Sequence, residues 1–317
     1  MGSCVVVKAP PQTLEWGNAS VRFRQVRNFE YFAPHTLQEA VALLHELGEH
    51  SRPLAGGTDL IVQMKEAATR FPYPSCVVSL TRIPELNRIE FSESEGLRIG
   101  ASVTMIDVTE SPIISQPFQA LAEGAGVVGS IQTMNMATLG GNLCNAAPSA
   151  DTAPPLLAFE AQAVIVGPDG RRLLPLDQFF LGPGHTALAP GELLAEVRVP
   201  APSPGAGSAY RRHTPRKQMD IAVAGVAAAL MLGADGRIGK ARVALGAVAP
   251  TPIRARQTES LLEGQPPSAD LFQRAGEAAA GEASPISDLR GSAEFRRHLV
   301  QVLTARMLGL AAARATG

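Results

Sequence analysis

The sequence predicts a mixed α+β protein of two or three domains, and three observations carry that reading. Short β-like runs alternate with helical periodicity, as where Arg52 to Ala55 precedes Leu60 to Lys65. At 317 residues the chain exceeds what one hydrophobic core ordinarily organises, roughly 250 to 300 residues. A dense breaker cluster, Pro200-Ala201-Pro202-Ser203-Pro204-Gly205, then divides it, so the boundary of a second unit is expected there.

Composition narrows the classes. With 45% hydrophobic and 18% charged residues the chain is neither disordered nor fibrous. A formal net charge of −1 gives no broad attraction for nucleic acid or an anionic membrane, so any bound anion must be held by local geometry. No run approaches the ~20 apolar residues of a membrane span, and the amino terminus has no secretory pattern; a cytoplasmic protein is expected. Met1-Gly2-Ser3-Cys4 resembles a lipidation start, but Val6 occupies the place of the required Ser or Thr. Cys4, Cys76 and Cys144 are too scattered for a ligand pair, so no cluster, zinc site or disulfide is expected in this chain.

The elements follow in order. Residues 1–28 mix Pro, Gly and polar residues without a period and read as an extension on the surface or on a partner. Thr36-Leu37-Gln38-Glu39 has capping-box form, and Leu37, Ala40, Val41, Leu44 and Leu47 recur at helical spacing up to Gly48. Arg52 to Ala55 reads as a strand, Gly56-Gly57 as a break, and Leu60 to Lys65 as a helix. Cys76 to Leu80 is strand-like, and two hairpins are expected, around Glu93 to Gly96 and around Pro168-Asp169-Gly170. Beyond the breaker, strands at 222–232 and 241–248 precede helices near 258–263, 269–280 and 292–310, a small α+β unit. The predicted units are therefore the 1–28 extension, 29–204 (subdomains about 29–84 and 85–204), and 205–317.

Two glycine pairs are the candidate binding elements. In Leu54-Ala55-Gly56-Gly57-Thr58-Asp59-Leu60 the pair lies between strand and helix. Glycines without Cβ atoms let backbone N–H groups close on an oxyanion, and a helix start adds a favourable dipole. Thr138-Leu139-Gly140-Gly141-Asn142-Leu143 repeats the pattern, with Asp151 following in a Pro-rich stretch. Two such loops could grip one diphosphate from both sides with amides and hydroxyls. The alternatives are a tight connection without ligand for the first loop, and for Asp151 a cap on the helix at Leu156-Leu157-Ala158.

Other motifs carry less. Gly124-Ala125-Gly126-Val127-Val128-Gly129 fits the dinucleotide fingerprint literally, but Phe118 to Glu123 before it reads as a helix, so a helix end is expected. The six histidines form no recognisable constellation, and no catalytic side chain is assigned. Arg211-Arg212-His213 reads equally as a solvated strand edge or as a contact for a cofactor or partner.

Taken in order, these segments resemble the flavoprotein subunits of the xanthine dehydrogenase and carbon monoxide dehydrogenase family. The resemblance runs from Phe29-Glu30-Tyr31 through both glycine loops. It continues in Phe179-Phe180-Leu181-Gly182-Pro183-Gly184, Pro190 to Leu194, Asp220-Ile221-Ala222 and Gly291 to Arg296, covering nearly everything after residue 28. It implies two subdomains holding FAD between them, of the vanillyl-alcohol-oxidase (PCMH) type, and then a small α+β carboxy-terminal domain. Carried across, Leu54 with Ala55, Gly56, Gly57, Thr58, Asp59 and Leu60, and Thr138 with Leu139, Gly140, Gly141 and Asn142, would wrap the pyrophosphate and ribityl region. Asp151 would be a polar ligand, Leu188 would line the site near the flavin, and Arg212 would supply a basic group. The chain departs from the family at Gln132-Thr133-Met134-Asn135, where many members have Gln-Ile-Arg-Asn.

The resemblance also implies partners: a large subunit with a molybdopterin cofactor and a small subunit with [2Fe-2S] clusters, in a heterotrimer or its dimer. It further implies that substrate would be hydroxylated at the molybdenum and that electrons would pass through the clusters to FAD and on to NAD, a quinone or oxygen. A self-sufficient flavin oxidoreductase and a cofactor-free interaction protein are the alternative readings.

Overall fold

The computed structural model describes residues 26–65 and 72–316, together with the backbone of the strand Val5–Val7. That strand, β1, pairs antiparallel with β2 (Phe29–Phe32). Part of the predicted extension is therefore a strand at the edge of the first sheet. The rest of the predicted extension up to residue 25 lies outside the described residues.

Helix α1 (Leu37–Leu47) forms as the capping pattern requires, with the Glu39 amide donating to Thr36 Oγ1 at 3.2 Å. The Glu39 carboxylate accepts from the His35 amide at 2.9 Å. Ala40, Val41 and Leu44 face inward and pack with Val78, Leu80 and Ile83. Next come β3 (Ser51–Leu54), α2 (Leu60–Lys65) and β4 (Cys76–Ser79). β4 runs parallel to both β2 and β3, giving a sheet of order β1-β2-β4-β3. The central strand β4 is buried on both faces, hence its unbroken apolar run.

The second layer opens with β5 (Ile89–Ser92) and β6 (Gly96–Gly100). A series of short helices follows: α3 (Met105–Glu110), α4 (Pro112–Ser115), α5 (Gln119–Ala125), α6 (Ile131–Met134), α7 (Leu139–Cys144) and α8 (Ala153–Ala158). Strands β7 (Gln162–Gly167), β8 (Gly170–Pro175), β9 (Phe180–Gly182), β10 (His185–Thr186) and β11 (Leu193–Val199) complete it. The sheet is antiparallel, of order β5-β6-β11-β7-β8, and both predicted hairpins are present. The dinucleotide-like glycine run ends α5, with Gly126 as its cap and Gly129 at φ +60°, as expected for a helix end.

Past the proline cluster lie β12 (Ala206–His213), β13 (Ala224–Leu232), β14 (Ile238–Gly246) and β15 (Ile253–Arg254). Helices α9 (Arg256–Leu262), α10 (Ala269–Glu282) and α11 (Ala293–Ala315) cover one face. Alternation along the strands assigns the two faces: Ala209, Val226, Ala228, Val243 and Leu245 join the helices, whereas Tyr210, Ala227 and Ala244 join the main core of the preceding layer. Small residues let the layers close. A Cβ on Gly276 would stand 2.3 Å from the Gln301 carbonyl oxygen, and one on Gly207 would stand 2.1 Å from that of Ala311. The buried Arg296 pins the start of α11 by donating to the carbonyls of Val223 (2.7 Å) and Ala247 (3.2 Å) and to Asp288 (2.7 Å). The motif from Gly291 to Arg296 thus joins helix to sheet.

Candidate functional site

The first glycine segment leaves the end of β3 at Leu54 and turns through Gly57, at φ +72°, into α2 at Leu60. Ala55, Gly56 and Gly57 are half-buried, while Thr58 and Asp59 are exposed. Among the described residues the amides of Gly56, Gly57 and Thr58 donate to no protein group. They are available to an anion, with little added by a helix of only six residues.

The second segment differs from its sequence reading. Thr138 is the N-cap of α7, its Oγ1 accepting from the Gly141 amide at 3.1 Å. The Leu139 and Gly140 amides donate to the carbonyls of Val103 (2.9 Å) and Ala101 (2.8 Å), and that of Asn142 to Thr138 (3.0 Å). The expectation of bare amides is therefore corrected: helix and neighbouring backbone already engage them. Gly140 has another use, since a Cβ there would come within 2.6 Å of the Ala101 carbonyl oxygen. Gly141 stays exposed and presents bare backbone to the surface.

The fold brings these two segments into contact. A Cβ on Gly56 would lie 1.7 Å from the Met136 carbonyl oxygen and 3.2 Å from Ala137 Cα. Only glycine allows that approach, so backbone from about eighty residues away forms one wall with the first loop. Met134 is buried in the main core and fills its position by packing rather than charge.

Asp151 lies behind the second segment. It does not cap α8, whose N-cap is Thr152 with no side-chain capping bond. Instead the buried carboxylate accepts from Tyr210 Oη at 2.7 Å on Oδ1 and from Arg212 Nη1 on Oδ2. Tyr210 and Arg212 are two apart on β12 and so share a face. Burial lifts the Asp151 carboxyl to about 6, outweighing the attraction of Arg212 and the two hydrogen bonds. The same burial, with the Asp151 carboxylate alongside, pushes the Tyr210 phenol well up. The two arginines of the basic cluster point to opposite strand faces: Arg211 is exposed, whereas the Arg212 side chain is 6% exposed and pairs with Asp151.

Two further bonds tie this junction to its surroundings. Thr152 Oγ1 donates to Asn142 Oδ1 at 2.7 Å, linking Asp151's neighbour to α7. The Tyr210 amide donates to Glu123 Oε2 at 2.7 Å. Leu188 is half-buried against the main core. Its segment is held near the end of α7 by the Gly184 amide on the Ala146 carbonyl at 3.0 Å, and by Arg172, which bonds both Ala187 O and Glu192. Tyr210, Glu123 and Thr152 were not singled out from sequence. The spacing of Tyr210 and Arg212 was the available signal, but it needed β12 to be recognised as a strand.

The donor set suits a large, acceptor-rich anion. One wall offers unengaged amides beside the Thr58 hydroxyl, and Arg212 Nη2 is buried without a hydrogen-bond partner among the described residues. An orphaned guanidinium N–H requires an acceptor, and a flavin dinucleotide carries carbonyl, ring-nitrogen and phosphate acceptors. These residues therefore fit FAD. A two-layered FAD-binding fold of the PCMH type, followed by an α+β domain, defines the class as a flavoprotein.

Residues 27–202 match the family model described as FAD binding domain in molybdopterin dehydrogenase, and residues 208–311 match the CO dehydrogenase flavoprotein C-terminal domain. The chain belongs to this family, as an FAD-binding subunit of a molybdenum-containing oxidoreductase. It is 38% identical to the carbon monoxide dehydrogenase medium chain of Hydrogenophaga pseudoflava, over 90% of this chain and 98% of that one. Identity to the putative xanthine dehydrogenase FAD-binding subunit of Escherichia coli is 35%, over 90% and 97% of the two chains. Among solved structures, carbon monoxide dehydrogenase from H. pseudoflava superposes with a TM-score of 0.84 at 37% identity, covering 90% of this chain and 98% of that one. Quinoline 2-oxidoreductase from Pseudomonas putida superposes with 0.85 at 30% identity, covering 92% and 100%.

Proposed function

We propose that this chain carries electrons from a molybdenum-containing hydroxylase to a terminal acceptor, holding FAD between the first glycine segment and the Asp151–Arg212 junction. One observation carries the reading most: among the described residues the amides of Gly56, Gly57 and Thr58 are unengaged, in a loop that packs onto the Met136 backbone only because residue 56 is glycine. In this reading Ala55 to Leu60 hold the pyrophosphate through backbone donors. Thr138 to Asn142 supply a packed wall with Gly141 as its bare edge. Leu188 shields the flavin from water, and Arg212 donates its free N–H to a flavin acceptor. FAD supplies the capacity to accept electrons singly and release them in pairs, while the protein supplies position, exclusion of water and redox tuning. No side-chain acid or base is assigned to the chemistry.

The partners in this reading are a large molybdopterin-binding subunit and a small [2Fe-2S] subunit, joined in a heterotrimer or its dimer. NAD, a quinone or oxygen is the final acceptor. The carboxy-terminal unit, 205–317, is proposed as a domain distinct from 29–204, whose own subdomains are about 29–84 and 85–204. A cytoplasmic location is part of the proposal; no helix among the described residues is long and apolar enough to cross a membrane.

Purification of the tagged chain from its own cells tests this reading. Recovery of two companion subunits with molybdenum, iron and flavin is expected. Recovery of a flavin-loaded chain with neither metal would favour the self-sufficient oxidoreductase instead.

A further inference from the structure

Tyr210 does more than fill the core. Its phenol is the donor on Asp151 Oδ1, and its amide is held by Glu123, so the residue is fixed at both ends against the preceding layer. It is 5% exposed, and Asp151 is equally buried. Arg212 reaches the other carboxylate oxygen, leaving Nη2 as the unpartnered donor of the junction. The carboxylate is thus braced from one strand at two points. Remove the phenol and a single bond remains, about which the carboxylate can turn, and Arg212 Nη2 moves with it.

We propose that Tyr210 is a positioning residue for the flavin: by holding Asp151 it aims the free edge of Arg212, which makes the carboxy-terminal sheet part of the flavin site. The inference rests on the flavin-site reading above and extends it to a residue that touches no cofactor. It also gives the strand a reason to place Tyr210 and Arg212 on one face. The backbone on the other side of the carboxylate is equally fixed. A Cβ on Gly124 would stand 2.6 Å from the Asp151 carbonyl oxygen, and the Ala247 amide donates to the Pro148 carbonyl at 2.7 Å. With its main chain clamped, Asp151 has only side-chain rotation left, and the Tyr210 hydroxyl opposes that rotation.

The test compares FAD binding to wild type, Tyr210→Phe and Arg314→Met in the full chain, by fluorescence titration and by visible circular dichroism of the bound flavin. Y210F removes one oxygen and keeps the ring. R314M removes another tie on β12, the bonds from Arg314 to Ser208 O (2.6 Å) and to Glu123 (2.5 Å), and leaves the Tyr210 hydroxyl on Asp151 and the Glu123 acceptor for the Tyr210 amide in place. Y210F is expected to raise the FAD Kd roughly tenfold, the scale of one hydrogen bond to a charged group, and to alter the visible dichroism. R314M is expected to lower the melting temperature while leaving both flavin signals as in wild type. Equal flavin binding and dichroism in Y210F and wild type would overturn the proposal, as would an R314M effect on flavin as large as that of Y210F. If wild type itself takes up no FAD, the flavin-site reading fails instead.

Discussion

Gly56 rests directly on the backbone of Met136, so closely that a single methyl group could not be placed between them. The contact joins the first glycine segment to the backbone that leads into the second. Gly56→Ala should therefore cost at least about 1–3 kcal/mol through overpacking and separate the two segments. Thermal unfolding and FAD titration check it: a lower melting temperature together with lost FAD uptake is expected. Gly141→Ala is the contrast. Its Cβ would meet only Thr138 Oγ1, at 2.9 Å, so a cost of about 0.5–2 kcal/mol is expected, the scale of one cap.

Asp151 gives an unusual pH dependence. Its carboxyl titrates at about 6 in the folded chain against an ordinary 3.8, because burial penalises the charge. Between those values the folded state keeps a proton that the unfolded state releases. The stability from this group is thus full below about pH 4 and falls as pH rises through about 6. Asp151→Asn cannot titrate. Relative to D151N, the FAD-free wild type should lose on the order of 1–3 kcal/mol between those limits, measured by urea unfolding across pH.

Glu160 shows the opposite sign. It lies between Lys240, Arg242 (2.8 Å) and Arg254 (3.3 Å), joining the end of α8 to the carboxy-terminal sheet. Burial resists its ionisation, but hydrogen bonds from Lys240 and Arg242 outweigh that and take its carboxyl down to about 2. The stability is present above the ordinary 4.5 and is lost as pH falls towards 2. Glu160→Gln should cost about 1–2 kcal/mol at neutral pH, discounted for the solvent reaching the group. In denaturant unfolding the gap to wild type should narrow on acidification.

How much of this was legible in the sequence depended on how local each cause is. The α1 helix declared itself through Thr36 and its apolar period, and the two hairpins through their turns, because both signals lie within a few residues. Of the short helices from α3 to α8, four to seven residues each, parts of α5 and α8 were legible, while α3, α4, α6 and α7 were too brief for periodicity to show. β12 escaped because its Ala, Gly and Ser residues lack strand propensity; it is a strand because α11 needs small residues to approach it. The glycine pairs marked two segments that the fold brings together, yet the sequence could not say that the Gly140 and Gly141 amides would be engaged by Ala101 and Thr138. The Asp151–Tyr210 bond joins residues 59 positions apart and has no local signature.

Arg296 offers a test of how the carboxy-terminal layer is held. It is 4% exposed and bonds two carbonyls and Asp288. Arg296→Met should cost about 2–4 kcal/mol by leaving those acceptors unpaired. Calorimetry should show the helices α10 and α11 lost at lower temperature than in wild type.

Titration of the purified, flavin-free chain with FAD in a calorimeter addresses the binding site most directly. Saturable uptake of one FAD per chain is expected, abolished in Gly56→Ala and weakened in Arg212→Met. No saturable uptake by wild type, or uptake unchanged in Gly56→Ala, would contradict the assignment of the Gly56–Met136 wall and the Asp151–Arg212 junction as the flavin site.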